Sequence, residues 1–139
     1  MSEKTMVVSG AFATHTTKLY NYYLCPIKWD VNDLGYIAVN YINELKYLGK
    51  VIGKPILCEF KNERITGINS LDYEIQTDLK EFKCKLKEGK FHLIILEPII
   101  GGCKHLNLQY RRKGAFVSNI KEKVYFKHLQ DFFEAHQRI

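Results

Sequence analysis

The segment "FHLIILEPII" (residues 91–100) constrains the fold more than any other stretch of the chain. It is rich in Leu and Ile, and branched side chains of this kind favour the pleated surface of a sheet. Glu97 and Pro98 interrupt it, and it is far shorter than the ~20 apolar residues that a membrane-spanning helix requires. The segment therefore predicts a buried β-strand, and no membrane partner is expected.

Further β-prone segments surround it. In "DLGYIAVNYI" (33–42) apolar side chains occupy both alternating faces, which predicts a strand that is mostly buried. "ELKYLGKVIGKP" (44–55) contains Gly49 and Gly53, and this pattern is typical of a bent or bulged strand. Short strands are also predicted at "LYNYYLCPI" (19–27) and "ILCEF" (56–60). Residues 1–19, rich in Thr, Ser, Ala and Gly, are interpreted as a strand plus a turn or as a partly loose lead-in.

The second half of the chain predicts a hairpin and a closing helix. We expect a helical turn near residues 78–82, then a strand "EFKCKL" (81–86) that turns at "EGK" into 91–100. In "VYFKHLQDFFEAH" (124–136) the aromatic residues recur at helical spacing, so a short C-terminal helix follows. The fold class predicted is α+β, a small mixed β-barrel of six or seven strands, with residues 1–139 forming a single domain.

Composition and cysteine usage narrow the class of protein. Hydrophobic residues make up 46% and charged residues 26%, which is a globular composition and excludes a disordered chain. The N-terminus does not resemble a signal peptide, so we expect a cytoplasmic protein. The four cysteines are widely spaced without a C-x-x-C pair and are interpreted as buried free thiols. No cofactor and no metal site is predicted.

The net charge of +6 is unevenly distributed. Residues 80–127 hold twelve Lys/Arg and four Asp/Glu, a net of +8, whereas the remainder has a net of −2. This asymmetry indicates either a surface for a polyanion, most commonly nucleic acid, or an ordinary solvated basic face. Phosphate-binding candidates are the residues Lys85, Lys87, Lys90, Lys104, Arg111, Arg112 and Lys113, with Lys121 and Lys123 on the same basic surface.

Three stretches together resemble a known family. They are "GYIAVNYINELKYLGKV", "KFHLIILEPI" and "GAFVSNIKEKVYFKHLQDFFEA", and they cover about half of the chain. Their order is similar to that of the PUA-like superfamily, closest to its EVE domains, although the opening "FATHTTKLYNYYL" departs from the usual EVE start. Domains of this superfamily characteristically bind RNA or DNA, often a modified or flipped-out base, and the resemblance implies that role here.

The only tryptophan, Trp29, lies in a polar loop, "IKWDVND" (27–33). Unpaired bases are bound by stacking on aromatic faces, with polar groups on the base edge. The candidate base-binding residues are therefore Trp29, Tyr22, Tyr23, Tyr36, Asp30 and Asn32. The structural alternative is that Trp29 packs on the core and that the Asp and Asn residues form turns.

Two other classes of function remain open. "HTT" at 15–17 fits the H-x-T motif of two-histidine phosphoesterases, in which one histidine is the base and the other the acid. The partner on offer is His105 in "HLN", where Asn replaces Thr. A metal site formed by Cys103 and His105 with His92 or His128 is disfavoured, because closed zinc sites require four converging ligands. The last class is a protein-interaction module, for instance of a phage or defence system.

Overall fold

The structure is a computed structural model that describes residues 2–42, 44–62, 64–67, 73–81, 87–101, 110–112, 123–134 and 136–138. The elements in chain order are β1 (Lys4–Ser9), α1 (Ala11–Tyr20), β2 (Tyr22–Pro26), β3 (Leu34–Tyr41), β4 (Glu44–Lys61), β5 (Arg64–Thr66), α2 (Tyr73–Glu81), β6 (Gly89–Ile100), β7 (Tyr110–Arg112), β8 (Val124–Phe126), α3 (Leu129–Glu134) and β9 (His136–Arg138). Of the strand predicted at 81–86, Glu81 is instead the last residue of α2, and residues 82–86 lie outside the described ranges.

A seven-stranded mixed sheet dominates the described part of the chain. Its strand order is β2-β6-β4-β3-β1-β8, with β5 paired to β4, and β7 and β9 form a separate pair. β1 runs parallel to β3, and the other pairs are antiparallel. The α+β class is confirmed. Among the described residues the sheet does not close into a barrel, because β2 and β8 stand at its two ends.

Three buried clusters account for the apolar patterns in the sequence. The first cluster lies on one face of the sheet and comprises Met6, Val8, Ala13, Tyr23, Cys25, Leu34, Ile37, Val39, Tyr47, Ile94 and Leu96. The second comprises Phe12, Leu24, Cys58, Phe60, Ile65, Leu79, Phe91 and Leu93. The third comprises Val7, Ala38, Leu45, Leu48, Ile100 and Phe132. Neighbouring residues of β3 enter different clusters, so the prediction that this strand is buried on both faces is confirmed.

The segment predicted as two strands at 44–60 is one bent strand. In the pairing of β4 with β6, Ile52 lies opposite Ile95 and Ile56 opposite Leu93, so three residues of β4 face one of β6. Gly53 at the bend has φ of +70°, a left-handed conformation that glycine adopts without steric cost. Pro55 has no N–H to contribute to the ladder. The glycine signal for a bulge is therefore confirmed.

The N-terminal segment contains a helix that the sequence analysis did not predict. After β1, the chain turns at Gly10 and forms α1, whose threonine hydroxyls bond to carbonyls of the preceding turn. The Thr14 hydroxyl donates to Gly10 O at 2.8 Å and the Thr17 hydroxyl to Ala13 O at 2.7 Å. Because threonine is enriched in strands, its frequency here favoured the wrong element. Asn21 ends the helix in a left-handed conformation.

The predicted C-terminal helix is confirmed over Leu129–Glu134, whereas Val124–Phe126, which the same pattern assigned to the helix, form β8 and pair with β1. Its Phe132 is fully buried in the third cluster, with its ring centroid 5.9 Å from that of Phe126 in an edge-to-face arrangement. This packing holds α3 against β8 and β1. No helix in the described part of the chain has the length and apolar character needed to cross a membrane.

Candidate nucleic-acid interface

The loop that carries Trp29 connects β2 to β3 and is fixed by its own polar groups. The Asp30 carboxylate accepts a hydrogen bond from the Asn32 N–H at 2.9 Å, which forms a local turn. Lys4 on β1 donates to Asp30 Oδ2 at 2.8 Å and to the Asn32 carbonyl at 3.2 Å. The hydrogen bond from Lys4 is the main reason why the pKa of Asp30 is lowered. The expectation that Asx residues form turns here is confirmed for Asp30.

Two lysines lie over two aromatic rings beside this loop. The Lys123 ammonium is 5.4 Å from the centroid of the Trp29 ring, and the Lys4 ammonium is 4.8 Å from that of Tyr125. The Tyr125 hydroxyl donates to the Asp30 carbonyl at 2.8 Å, which joins the two pairs. Burial is the largest of the effects that raise the pKa of Tyr125. We call the five residues Lys4, Trp29, Asp30, Lys123 and Tyr125 the Trp29–Tyr125 surface.

An open groove of about 700 Å³ adjoins the Trp29–Tyr125 surface. Its lining residues come from the start of β1 and from β8 with the turn that follows: Ser2, Glu3, Lys4, Tyr125, Phe126, Lys127 and His128. Lys127 and His128 are exposed. The groove therefore brings further basic side chains next to the aromatic rings. Trp29 itself is half-buried against the first cluster.

The predicted base-binding residues do not all meet at one place. Trp29, Asp30 and Asn32 share the loop, and Tyr23 is buried in the first cluster on which Trp29 packs. Tyr22 points to the other face of β2 and packs against the second cluster, and Tyr36 packs against the third. Tyr22 and Tyr36 therefore pack against different clusters from the one that Trp29 contacts.

Tyr23 and Cys25 are deeply buried beneath the Trp29 loop. The Tyr23 hydroxyl has no hydrogen-bond partner among the described residues, and burial raises its pKa well above the ordinary value. Burial also raises the pKa of the Cys25 thiol to about 12. Cys25 and Cys58 are buried free thiols, as predicted. Cys84 and Cys103 lie outside the described residues.

The predicted phosphate-binding residues are only partly described. Lys87 and Lys90 are exposed at the start of β6, and Lys90 lies opposite Glu59 in the sheet. Arg111 and Arg112 belong to β7, where they pair with Gln137 and His136 of β9. The residues Lys85, Lys104, Lys113 and Lys121 lie outside the described ranges. The expectation that several basic segments converge on one face thus stays a prediction.

Two residues of the Trp29–Tyr125 surface and two of the adjoining groove were not predicted as binding residues from the sequence. Lys4, Tyr125, Lys127 and His128 carry no local signal of a site, because each is a common residue in an ordinary strand or turn. Lys4 and Tyr125, which both contact Asp30, lie 26 and 95 positions from it in the sequence. The parallel pairing of β1 with β3 and the docking of β8 on β1 produce this arrangement.

His15, the residue proposed for phosphodiesterase chemistry, lies on α1 and contacts α2. Its Nε2 atom is 2.6 Å from Asp78 Oδ2, and the Tyr20 hydroxyl donates to the same oxygen at 2.6 Å. These bonds lower the pKa of Asp78, and burial together with the Asp78 contact raises the pKa of Tyr20 to about 12. We call the three residues the Asp78 cluster. His105 lies outside the described residues, so the two-histidine hypothesis stays a prediction.

The described residues include no group of three or more His, Cys, Asp or Glu side chains placed to hold a metal ion. Of the four candidate ligands that were weighed, His92 and His128 lie in separate pockets, and Cys103 and His105 are not described. The chain matches no protein-family model, and no significant match was found among curated proteins or solved structures.

Proposed function

We propose that this protein binds nucleic acid or a nucleotide through the Trp29–Tyr125 surface, by recognition without covalent chemistry. The observation that carries the proposal is the pairing of Lys123 with Trp29 and of Lys4 with Tyr125 on neighbouring parts of one surface. Proteins bind single-stranded nucleic acid through cations placed beside aromatic rings, since bases stack on the rings and phosphates bind the ammonium groups.

The contact between Lys123 and Trp29 suggests how a base would enter. One face of the Trp29 ring is covered by the exposed Lys123 side chain, while the ring is half-buried against the first cluster. A base that stacks on Trp29 displaces the ammonium group, and the freed ammonium then reaches the adjacent phosphate. The exchange replaces one weak cation–π contact, about 0.5–1 kcal/mol at an exposed site, with stacking of about 1–3 kcal/mol.

The remaining charges favour a phosphate backbone along the groove. Lys127 lines it together with the Glu3 carboxylate, which accepts a hydrogen bond from the Leu129 N–H, and the Asp30 carboxylate of the Trp29–Tyr125 surface is paired with Lys4. Asp30 therefore repels a passing phosphate less than a free carboxylate would. The exposed Lys87 and Lys90 and the arginines of β7 extend this proposal as candidates for further phosphate contacts.

The finer fold and location belong to the same proposal. We place the chain among PUA-like, EVE-type domains with a mixed β-barrel architecture, and we place the protein in the cytoplasm. The order β1-α1-β2-β3-β4 with a strongly bent β4 is compatible with such a barrel, since bulges provide the curvature that closure requires.

The fluorescence of Trp29 provides the test, because this residue is the only tryptophan in the chain. A short single-stranded oligonucleotide should quench or shift that fluorescence. Lys123→Met should weaken binding to every sequence and reduce the slope of log affinity against log salt by about 0.7, the value for one phosphate contact on a single strand.

Lys61→Met is the matched control, because Lys61 is an exposed lysine at the far end of β4. It should leave both the affinity and the salt slope unchanged. The proposal is wrong if RNA, DNA and mononucleotides all leave the fluorescence unchanged at low salt. It is also wrong if the two lysine variants weaken binding equally, since that would indicate nonspecific attraction to a basic protein.

A further inference from the structure

A second cavity lies on the other side of the Trp29 loop, at the bend of β4. Its volume is about 470 Å³, within the range of about 300–1,000 Å³ typical of small-molecule sites. The lining residues come from three segments, the end of the loop with the start of β3, the bend of β4, and β6: Val31, Asn32, Asp33, Leu34, Val51, Gly53, Lys54, Pro55 and His92.

Opposite charges line this cavity from two different segments. Asp33 belongs to the loop and Lys54 to the bend of β4, and both are exposed. Among the described residues neither side chain forms an ion pair. A ligand with a cationic and an anionic group can therefore contact both without breaking an existing ion pair.

Two other polar side chains of the cavity, His92 and Asn32, have unused hydrogen-bonding capacity. The Nδ1 atom of His92 is buried and has no hydrogen-bond partner in the described part of the chain. The backbone N–H and C=O of Asn32 bond to Asp30 and Lys4, whereas its carboxamide makes no hydrogen bond to the described residues.

The rest of the wall is apolar. Val31, Leu34 and Val51 provide aliphatic surface, and Pro55 closes the side next to the bend. Gly53 leaves the bend open, because a Cβ atom built there would have no atom within 4 Å. A ligand that fits these walls has a compact aliphatic part beside its charged groups.

We propose that this cavity binds a free α-amino acid with an apolar side chain, with the carboxylate on Lys54, the ammonium on Asp33 and the side chain against Val31, Val51 and Pro55. Asn32 and His92 supply hydrogen bonds to the carboxylate. Lys123 and Trp29 do not line this cavity, so leucine binding can be measured separately from oligonucleotide binding.

Leucine is the probe, and its binding is followed by calorimetry and by backbone amide NMR of the full chain. Leucine should shift the amides of residues 31–34, 51–54 and 92. Leucinamide, which lacks the carboxylate, and isocaproate, which lacks the ammonium, should each bind at least about tenfold more weakly, the effect of one charge-assisted hydrogen bond. Glycine should also bind more weakly, because it lacks the aliphatic part.

Two charge-removing variants assign the contacts. Lys54→Met should weaken leucine at least about tenfold while leaving leucinamide unchanged, and Asp33→Asn should weaken leucine similarly while leaving isocaproate unchanged. Asparagine suits position 33 because Asp33 has φ of +54°, a conformation that Asn tolerates. This crossed pattern would not arise from a purely structural defect.

Lys61→Met and Lys123→Met serve as controls and should leave leucine binding unchanged. The proposal is overturned if millimolar leucine shifts none of these amides, or if isocaproate binds as tightly as leucine, which would identify a simple anion site. Because nucleic acid is absent from the experiment, its outcome does not depend on whether the Trp29–Tyr125 surface binds oligonucleotides.

Discussion

Replacing Asp78 by asparagine tests what holds α1 and α2 together. One oxygen of the Asp78 carboxylate accepts hydrogen bonds from both His15 and Tyr20, each at 2.6 Å. Asp78→Asn keeps the shape of the side chain and removes its charge. Two charge-assisted hydrogen bonds therefore become neutral ones, while Leu79 stays buried in the second cluster.

The size of the expected change in the free energy of unfolding follows from the partial exposure of the Asp78 cluster. A hydrogen bond to a charged group contributes about 1.5–3 kcal/mol in a sheltered site, whereas an exposed ion pair contributes about 0–1 kcal/mol. The Asp78 side chain is 38% exposed and that of His15 is 21% exposed, so solvent screens the interaction substantially. We expect Asp78→Asn to lower the free energy of unfolding by about 1–2 kcal/mol at neutral pH, between these two limits.

The pH dependence distinguishes the charge from the shape of the side chain. Because the folded pKa of Asp78 lies below its unfolded value, the stabilisation is fully present above the unfolded pKa, about 3.9, and is lost as the pH falls through the folded pKa. Urea denaturation should therefore show a clear difference between wild type and Asp78→Asn at pH 5, and a shrinking one below pH 4.

Glu81→Gln is the matched control, since Glu81 is an exposed carboxylate on the same helix. It should change stability by less than about 0.5 kcal/mol. If Asp78→Asn is no more destabilising than Glu81→Gln, or if its effect persists undiminished in strong acid, the Asp78 cluster does not hold the helices in the way described.

Two further outcomes are expected. Charge reversal at Arg111 and Arg112 should weaken oligonucleotide binding across all sequences and flatten its salt dependence, and unchanged affinity would identify β7 as a solvated strand outside the interface. The Cys25 thiol, with its pKa raised to about 12 by burial, should react slowly with a thiol reagent at pH 8 in the folded protein and rapidly in denaturant. Rapid reaction without denaturant would mean that the segment beneath the Trp29 loop opens readily.

The strands were predictable where burial imposes a period on the sequence. β3 alternates between two clusters, and β6 is apolar on both faces because it lies inside the sheet between β2 and β4. The helix α1 was not predictable in the same way. Its threonines favour strands in isolation, and the helix forms because Phe12 and Ala13 become buried while threonine hydroxyls bond within the helix.

The site was predictable only at the Trp29 loop itself. A lone tryptophan among Asp and Asn residues is a local signal, and the structure places two of its neighbours, Asp30 and Asn32, in defined contacts. The cations and the second aromatic ring come from β1 and from the segment around β8, and no pattern near residue 29 indicates them. These side chains lie next to Trp29 because of the strand order in the sheet, and the spacing of apolar residues does not predict that order.

The Trp29 loop separates the two proposed binding regions, so its rigidity matters to both. Trp29 and Asp30 face the basic aromatic surface, whereas Asn32 and Asp33 line the cavity at the bend of β4. Lys4 bonds to Asp30 and to the Asn32 carbonyl, and it thereby fixes both ends of the short segment between them. Lys123 and Lys54 each act on one region only. Lys4 therefore contacts both sides of the loop, through Asp30 on the Trp29–Tyr125 surface and through the carbonyl of Asn32, which lines the cavity.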